Sequence, residues 1–381
     1  MANVETAVPS VLDRSFPPTM AGDIARRLEE SGVVDYFQAW EQLVSWWPRS
    51  LWTPDVTPLA EVMPDSDSFA DAFVLATCAA LATDHIGLSL STDAVRTAPA
   101  EKMQQLWTLA GATDGQVVLS IGAGENKQAQ PFGHDRSTGI KKMSDLLQLF
   151  KLLWEEDDVF SFEGNHWTFD HAWIGGARPA KRPKIWALGG GPQLIKLATR
   201  YADGLSSATP AAFSTPEKYG AMVTEVKHQL EDLGRDPEDF TFALWAPVIL
   251  HDDPDVVEQA LDNPLNKFFA PMSRFDQSLW RTEEGLEPIY PDGWHYAVDM
   301  IPQTMSRDEA MAIIDKVPRK MVEKAFYVGS PKQIVEQYLP FIEAGASYVS
   351  VFDTVGFVLS PDQMEHQLDL QIEFCRLLKE A

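Results

Sequence analysis

The amino-acid sequence predicts a (β/α)8 barrel, because short apolar strands alternate with helices along nearly the whole chain. Eight strand-like segments can be counted, whereas a doubly wound sheet normally has fewer strands and a sharper second domain. Several of these strands run directly into glycines or ionisable residues, the usual position of functional groups in a parallel barrel. We therefore expect one barrel domain over residues 1–381, with irregular insertions at about 41–68 and 252–324.

The predicted strands are short runs of aliphatic and aromatic residues bounded by turn-forming residues. They are Val4–Val8, Val33–Ala39, His85–Ser91, Val117–Ile121, Lys184–Leu188, Leu205–Ser207, Phe240–Leu250 and Ala346–Phe352. The predicted helices carry apolar residues at helical spacing. They are Ala21–Ser31, Phe69–Thr83, Pro99–Ala110, Thr138–Trp154, a helix after the glycines at 189–191, Pro216–Leu233, Pro331–Ala344 and Pro361–Leu378. An additional hairpin is expected at Phe160–Phe169, turning at Gly164 and Asn165.

The two insertions are long, irregular and rich in large apolar residues. The first holds Trp46, Trp47 and Trp52 and has no repeating period. The second contains helical pieces and the aromatic stretch at 290–305. A long irregular segment that leaves a strand end is more often a lid or binding element than a passive linker. We expect the insertions to border a ligand.

Composition and charge exclude several classes of partner. The formal net charge is −25 over 381 residues, which argues against nucleic acid and anionic membrane surfaces. The two cysteines lie far apart and form no CxxC motif, as expected for a reduced compartment. The amino-terminal residues do not resemble a signal peptide, and no apolar run approaches the roughly 20 residues of a membrane span. These features predict a cytoplasmic protein that acts on a small molecule.

Four groups of residues follow predicted strands and should converge at one mouth of the barrel. They are Glu41 with Gln42, the run Ser89–Thr92, Gly124 with Glu125, and the glycines at 189–191. Three glycines that precede a helix form either a phosphate-binding site or only a tight turn. The first alternative is physically reasonable because free N–H groups at a helix N-terminus favour an anion. The spacing matches neither the Walker lysine loop nor the Rossmann dinucleotide fingerprint.

Other reactive side chains give weaker signals. The eight histidines form no HExxH or HxH cluster, so no metal site is predicted. His295 lies beside Trp294 and Tyr296 and either faces a substrate or belongs to a packed aromatic cluster, the latter being favoured. Trp46 and Trp47 either stack on a planar ligand or fill the first insertion; we favour the ligand for one of them. No GxSxG elbow supports a hydrolase.

The order of these motifs resembles the bacterial luciferase-like superfamily. The motifs are Glu41-Gln42-x-x-x-Trp46, the run Ser89–Thr92 followed by RTAPA, then IGAGE, ALGGGP and RYADG. Within that superfamily the sequence is similar to the branch that uses the deazaflavin coenzyme F420. WPRS at 47–50 and IPQTM at 301–305 are especially similar to the phthiodiolone ketoreductase group.

The resemblance implies a homodimeric barrel with the deazaflavin lying across the mouth at the carboxyl ends of the strands. It places a non-proline cis peptide at Ser89–Leu90, behind the deazaflavin ring, and the phosphate at Gly190 and Gly191. It assigns the active-site carboxylate to Glu125. It assigns the active-site tryptophan to Trp46. From their positions in the sequence, Gly124 and Gln42 are expected beside the cofactor, and Trp47 and His295 beside the substrate.

One departure from the family pattern affects the chemistry. The family commonly has Asp-His where this chain has Glu41 and Gln42, and a glutamine cannot relay a proton. Glu125 then becomes the expected proton donor, with Glu41 as its rival. The predicted reaction moves hydride between C5 of coenzyme F420 and a carbonyl or alcohol carbon of a sizeable apolar substrate. The alternatives are an FMN-dependent monooxygenase of the same superfamily and a cofactor-binding protein without turnover.

Overall fold

The computed structural model describes residues 4–10 and 12–381. Within them the chain forms eleven strands. They are β1 (Glu5–Pro9), β2 (Tyr36–Trp40), β3 (Gly87–Asp93), β4 (Val117–Gly122), β5 (Phe160–Glu163), β6 (Thr168–Ala172), β7 (Lys184–Leu188), β8 (Gly204–Ala208), β9 (Thr241–Leu250), β10 (Tyr327–Gly329) and β11 (Tyr348–Asp353).

Eight of these strands close into a parallel barrel. The neighbours run β1, β2, β3, β4, β7, β8, β9 and β11, and β11 pairs again with β1. Ala7 in β1 lies opposite both Tyr36 of β2 and Ser350 of β11, so the ring has no open edge at this point. All eight predicted strands are present with ends shifted by a few residues, and the predicted barrel is confirmed.

Helices follow the barrel strands and also fill the second insertion. In the described part of the chain they are α1 (Met20–Glu30), α2 (Ala72–Ala82), α3 (Pro99–Ala110), α4 (Asn126–Ala129), α5 (Gly139–Glu155), α6 (Pro192–Tyr201), α7 (Pro216–Asp232), α8 (Pro254–Asp262), α9 (Pro264–Phe269), α10 (Ser278–Thr282), α11 (Tyr296–Asp299), α12 (Arg307–Ile314), α13 (Arg319–Ala325), α14 (Pro331–Glu343) and α15 (Met364–Glu380). None of them combines the length and apolarity needed to cross a membrane.

Local chemistry explains several helix starts. The Asp71 carboxylate accepts the Val74 N–H at 2.9 Å at the beginning of α2. Ser306 and Glu309 form a reciprocal capping box at the beginning of α12. Such caps satisfy backbone donors that have no partner inside the helix. The helix starts are therefore set by the sequence next to them.

Two structural features differ from the sequence-based expectations. The hairpin of β5 and β6 is present and antiparallel, but its second strand extends to Ala172. Strand β10 was not predicted; it has three residues and pairs alongside β9, outside the closed ring. Three residues are too few to show the alternation by which a strand is recognised.

The insertions pack against each other over the carboxyl ends of the strands. Their shared core joins Trp47 and Leu51 of the first insertion to Phe268 and Trp280 of the second, together with Phe357 after β11. The main core lies instead between the outer barrel surface and the helices around it. The irregular segments thus form a second apolar core that roofs one mouth of the barrel.

Candidate active site

A small, largely apolar cavity lies under this roof, at the carboxyl ends of β9 and β11. Its lining comes from both insertions, from those two strands and from the segment after β8. The lining residues are Trp46, Ala211, Trp245, Pro247, Phe269, Met272, Ser273, Phe275, Tyr296 and Phe352. A wider, open groove on the outer flank lies between α3, α5 and α6 at the amino-terminal end of β7. Because function in barrels resides at the carboxyl ends, the candidate site is the cavity at the mouth.

Glu125 stands beside the mouth, between β4 and α4, and forms an ion pair with a buried lysine. Its carboxylate lies 2.8 Å from the Nζ of Lys127, a side chain with 0% exposure. The same ammonium donates to the Val44 carbonyl at 2.7 Å and lies 4.7 Å from the Trp46 ring centroid. Burial lowers the pKa of Lys127, and the charge of Glu125 opposes that shift. The lysine therefore links Glu125 to both the first insertion and the cavity wall.

Tyr296 connects Glu125 to the cavity. It is the first residue of α11, and α11 packs against α4 directly after Glu125. The phenol ring lines the cavity and lies against Phe275, with ring centroids 5.5 Å apart. The pKa of Tyr296 is raised well above its ordinary value, mainly because the phenol is buried. The negative charge of Glu125 and a hydrogen bond between the two side chains raise this pKa further. The phenol thus carries its proton at neutral pH.

Arg136 supplies a positive charge close to this cluster. In residues 4–10 and 12–381 its guanidinium has no ion-pair partner, and its Nε is buried without a hydrogen bond. Burial lowers the pKa of Arg136, while Tyr296, Asp93 and Glu125 act in the opposite direction. A half-buried guanidinium with no described carboxylate in direct contact is suited to an anionic oxygen of a ligand.

The two tryptophans of the first insertion have different environments. Trp46 lines the cavity, with its ring 5.3 Å from that of Phe352. Trp47 is 6% exposed and lies in the second core, 4.6 Å from the Phe357 ring. Its Nε1 donates to the Leu265 carbonyl at 2.8 Å, which ties the two insertions together. The structure therefore places Trp47 in the interior of the second core and Trp46 at the cavity wall.

Glu41 and Gln42 lie just beyond the end of β2, away from the cavity lining. The Glu41 carboxylate is 3.2 Å from Lys102 Nζ and 4.0 Å from the Arg96 guanidinium. It is thus engaged by two cations at the rim. Gln42 is half-buried and makes no side-chain hydrogen bond to another described residue. Of the two candidate carboxylates, Glu125 is the one linked to the cavity.

The expected cis peptide at Ser89–Leu90 is wrong. In the part of the chain that the structure describes, the cis bond is the proline bond Thr209–Pro210. Ser89 and Leu90 are both buried within β3, joined by an ordinary trans peptide bond. Ser89 faces the barrel interior beside the Tyr348 hydroxyl, and Leu90 packs outward in the main core.

The glycines after β4 and β7 allow close packing at two points and leave open space at a third. Gly124 has φ +89°, and a Cβ there would meet Val95 Cγ2 at 2.6 Å. A Cβ on Gly190 would meet Ala212 Cβ at 2.5 Å, whereas Gly191 has nothing within 4 Å. Gly191 is the N-cap of α6, so unpaired amides of the first turn are accessible to an anion.

His295 supports the cavity wall and is not part of its lining. Its Nδ1 accepts the Ala297 N–H at 3.1 Å, and its ring stacks on Tyr296 at 5.2 Å. Burial and then Arg136 lower the pKa of His295, so a neutral imidazole caps α11. Sequence reasoning missed Lys127, Arg136 and Tyr296, because none of them belongs to a recognisable motif. The only available signal was their position next to Glu125 or His295.

The fold and the site together define a parallel-barrel enzyme with an aromatic mouth, an open helix N-terminus and a buried acid–base cluster. The chain belongs to the luciferase-like monooxygenase family, whose family model matches residues 15–348. The predicted superfamily is confirmed.

Relatives within and near this family are named as F420-dependent oxidoreductases or as ketoreductases. A phthiodiolone/phenolphthiodiolone dimycocerosates ketoreductase of Mycobacterium kansasii is 28% identical over 82% of this chain and 85% of the relative. An F420-dependent glucose-6-phosphate dehydrogenase of Kineococcus radiotolerans is 24% identical over 90% of this chain and 88% of the relative. A solved F420-dependent secondary alcohol dehydrogenase, in complex with an F420–acetone adduct, shares the fold with a TM-score of 0.72 at 19% identity, covering 99% of both chains.

Proposed function

We propose that this chain is an F420-dependent oxidoreductase that transfers hydride between C5 of the deazaflavin and a carbonyl or alcohol carbon. The observation that carries the proposal is the Glu125–Lys127 pair beside Trp46 at an apolar barrel mouth. It is supported by the names of the relatives, which describe ketoreductases and F420-dependent dehydrogenases.

The residues at the mouth fit such a cofactor. Gly190 and Gly191 would hold a phosphate at the N-terminus of α6, where Gly191 has open space around it and Gly190 lies against Ala212. Gln42 lies in the loop after β2 that borders the mouth, and Gly124, packed against Val95, precedes Glu125 at the end of β4. Ser89 and Leu90 lie deeper, buried within β3. When bound, coenzyme F420 supplies a carbon that accepts or donates hydride. The chain itself must orient the substrate, exclude water from the site and exchange the proton.

Glu125 is the leading acid–base group and Glu41 its rival. Reduction of a ketone needs a proton at the oxygen, and oxidation of an alcohol needs its removal. Glu125 contacts Lys127, which lies against the cavity-lining Trp46. Glu41 instead forms an ion pair with Lys102 at the rim. Trp46 would cover the reacting centre from the side of the first insertion, close to the Lys127 charge.

The cavity lining favours a sizeable apolar substrate. Nearly all the lining side chains are aromatic or aliphatic, as expected for a pocket that takes an apolar ligand. Arg136, near Glu125 and Tyr296, would bind an anionic oxygen of the cofactor or of the substrate.

We further propose that the chain acts as a homodimer through α2. This surface helix has no charged residue, and Val74 and Leu81 are 48% and 76% exposed on one face. A helix that is apolar all round is normally buried. Light scattering should give a dimer mass for the wild type, and Leu81→Glu should shift it toward the monomer. A monomeric wild type would contradict this proposal.

The first experiment mixes pure protein with coenzyme F420 and with FMN in parallel and follows the quenching of each fluorescence. Reduced and oxidised F420 are then supplied with a panel of apolar ketones and secondary alcohols, and absorbance reports turnover. We expect F420 binding, and turnover that falls at least 100-fold in Glu125→Gln. Glu41→Gln is the matched carboxylate control. Binding of FMN alone would favour the monooxygenase, and F420 binding without turnover would favour a cofactor carrier.

A further inference from the structure

We infer that Tyr296 is the catalytic residue that touches the substrate oxygen, and that it passes the proton between that oxygen and Glu125. The inference rests on the proposed oxidoreductase function and changes how its chemistry is divided. Glu125 becomes the proton reservoir behind the cavity wall, and Tyr296 becomes the group in contact with substrate.

The first support is that Tyr296, and not Glu125, faces the cavity. Tyr296 is part of the cavity lining, and Glu125 is not. Among the lining side chains, the polar hydrogens belong to the indoles of Trp46 and Trp245, to Ser273 and to Tyr296. The indoles do not exchange a proton in catalysis. The Ser273 hydroxyl donates to the Ala270 carbonyl at 2.8 Å, in a residue that is 2% exposed. Tyr296 is the lining residue left for proton transfer.

The second support is that the structure holds the phenol in place. The ring packs with Phe275 and His295 in a cluster of three, at centroid distances of 5.5 and 5.2 Å from them. His295 in turn is fixed by accepting the Ala297 N–H, and α11 packs on α4 beside Glu125. A group held by its neighbours needs little reorganisation during the reaction.

The third support is the charge around the pair. Lys127 is fully buried and ion-paired with Glu125 at 2.8 Å, so the carboxylate is stabilised whenever the proton is elsewhere. Arg136 lies near Tyr296 and would stabilise negative charge on the phenol oxygen during transfer. The other groups close to the phenol are Phe275 and the neutral His295.

The step balances in both directions. In alcohol oxidation, the substrate O–H bond breaks and its proton joins the Tyr296 oxygen, while the phenol proton moves to the Glu125 carboxylate. The C–H electron pair leaves as hydride to the oxidised deazaflavin, and a C=O bond forms. In ketone reduction, protonated Glu125 gives its proton to the Tyr296 oxygen, the phenol proton goes to the carbonyl oxygen, and hydride from the reduced deazaflavin forms the new C–H bond.

The test compares Tyr296→Phe with the wild type and with Tyr290→Phe. Tyr290 lies in the same insertion, is stacked on Trp294 at 3.7 Å, and does not line the cavity. We expect kcat to fall 100-fold or more in Tyr296→Phe and by less than threefold in Tyr290→Phe. Fluorescence titration with F420 should give the same Kd for all three proteins within twofold, which also shows that the variants are folded.

The double variant Tyr296→Phe/Glu125→Gln distinguishes a relay from two independent effects. Residues that act as one unit lose activity together, so the double variant should be no slower than the worse single variant within threefold. Multiplied losses, or a Tyr296→Phe variant that retains kcat within threefold, would overturn the relay. If the wild type binds F420 but oxidises no alcohol and reduces no ketone, the proposed function has failed instead.

Discussion

The Lys127–Glu125 pair makes the strongest energetic prediction about the site. Two unit charges 2.8 Å apart attract by about 6 kcal/mol at an effective dielectric constant of about 20. Desolvation of the fully buried ammonium offsets much of that attraction. Removing one partner nevertheless leaves the other charge poorly solvated, and this typically lowers the free energy of unfolding by about 3–5 kcal/mol. We expect Lys127→Met to lose this amount.

The assay is urea unfolding at pH 7 without cofactor, followed by tryptophan fluorescence. Lys227→Met is the control, since Lys227 and Glu238 form a pair at 3.1 Å whose side chains are 41% and 81% exposed. That exposed pair should contribute under about 1 kcal/mol. In Lys127→Met/Glu125→Gln, the loss should be smaller than the sum of the single losses by about 2 kcal/mol, as expected for coupled partners. A Lys127→Met loss under about 1 kcal/mol, or additive losses, would refute the reasoning.

Three further predictions concern residues around the site. Burial raises the pKa of Asp353 from 3.8 to about 6, so its stabilising contribution is present below pH 3.8 and is lost as pH rises through 6. At 1.36 kcal/mol per pKa unit this amounts to up to about 3 kcal/mol, and unfolding at pH 4 to 7 should show a shallower decline in Asp353→Asn. Trp47→Leu should lower the free energy of unfolding by about 3 kcal/mol with KM unchanged, whereas Trp46→Leu should raise KM; the reverse pattern would place Trp47 at the ligand. If Arg136 binds an anionic group of the cofactor, Arg136→Gln should weaken F420 binding about tenfold. If Arg136 binds an anionic substrate oxygen instead, the substitution should raise only the KM for the substrate. An unchanged Kd for F420 and an unchanged KM would show that Arg136 binds neither ligand.

The barrel was predictable because its signals are local. The strand Lys184–Leu188 and the helix Pro99–Ala110 have the predicted ends, since each is bounded by proline, glycine or a change of apolar period. The same reasoning identified Glu125 and Gly191, because barrel strands place whatever follows them at the mouth. The cis bond expected at Ser89–Leu90 came from the family resemblance and not from the local sequence, and the structure has a trans bond there.

The substrate side of the site was not predictable, because it depends on packing between distant segments. Trp46 and Trp47 are adjacent and chemically identical, yet one lines the cavity and the other donates to Leu265 in the interior. Which of the two faces the cavity depends on how the first insertion meets the second. No periodicity in either irregular segment encodes that contact.

The replacement of the family histidine by Gln42 has a physical consequence once the second insertion is placed. Gln42 itself cannot titrate, and Glu41 beside it is engaged by Lys102 and Arg96. The proposed acid–base function is therefore assigned to the β4 side, where Glu125 stands behind the cavity wall. Tyr296 bridges that gap only because α11 packs on α4. The second insertion thus supplies part of the cavity lining and, in the proposed relay, the residue that joins Glu125 to the substrate.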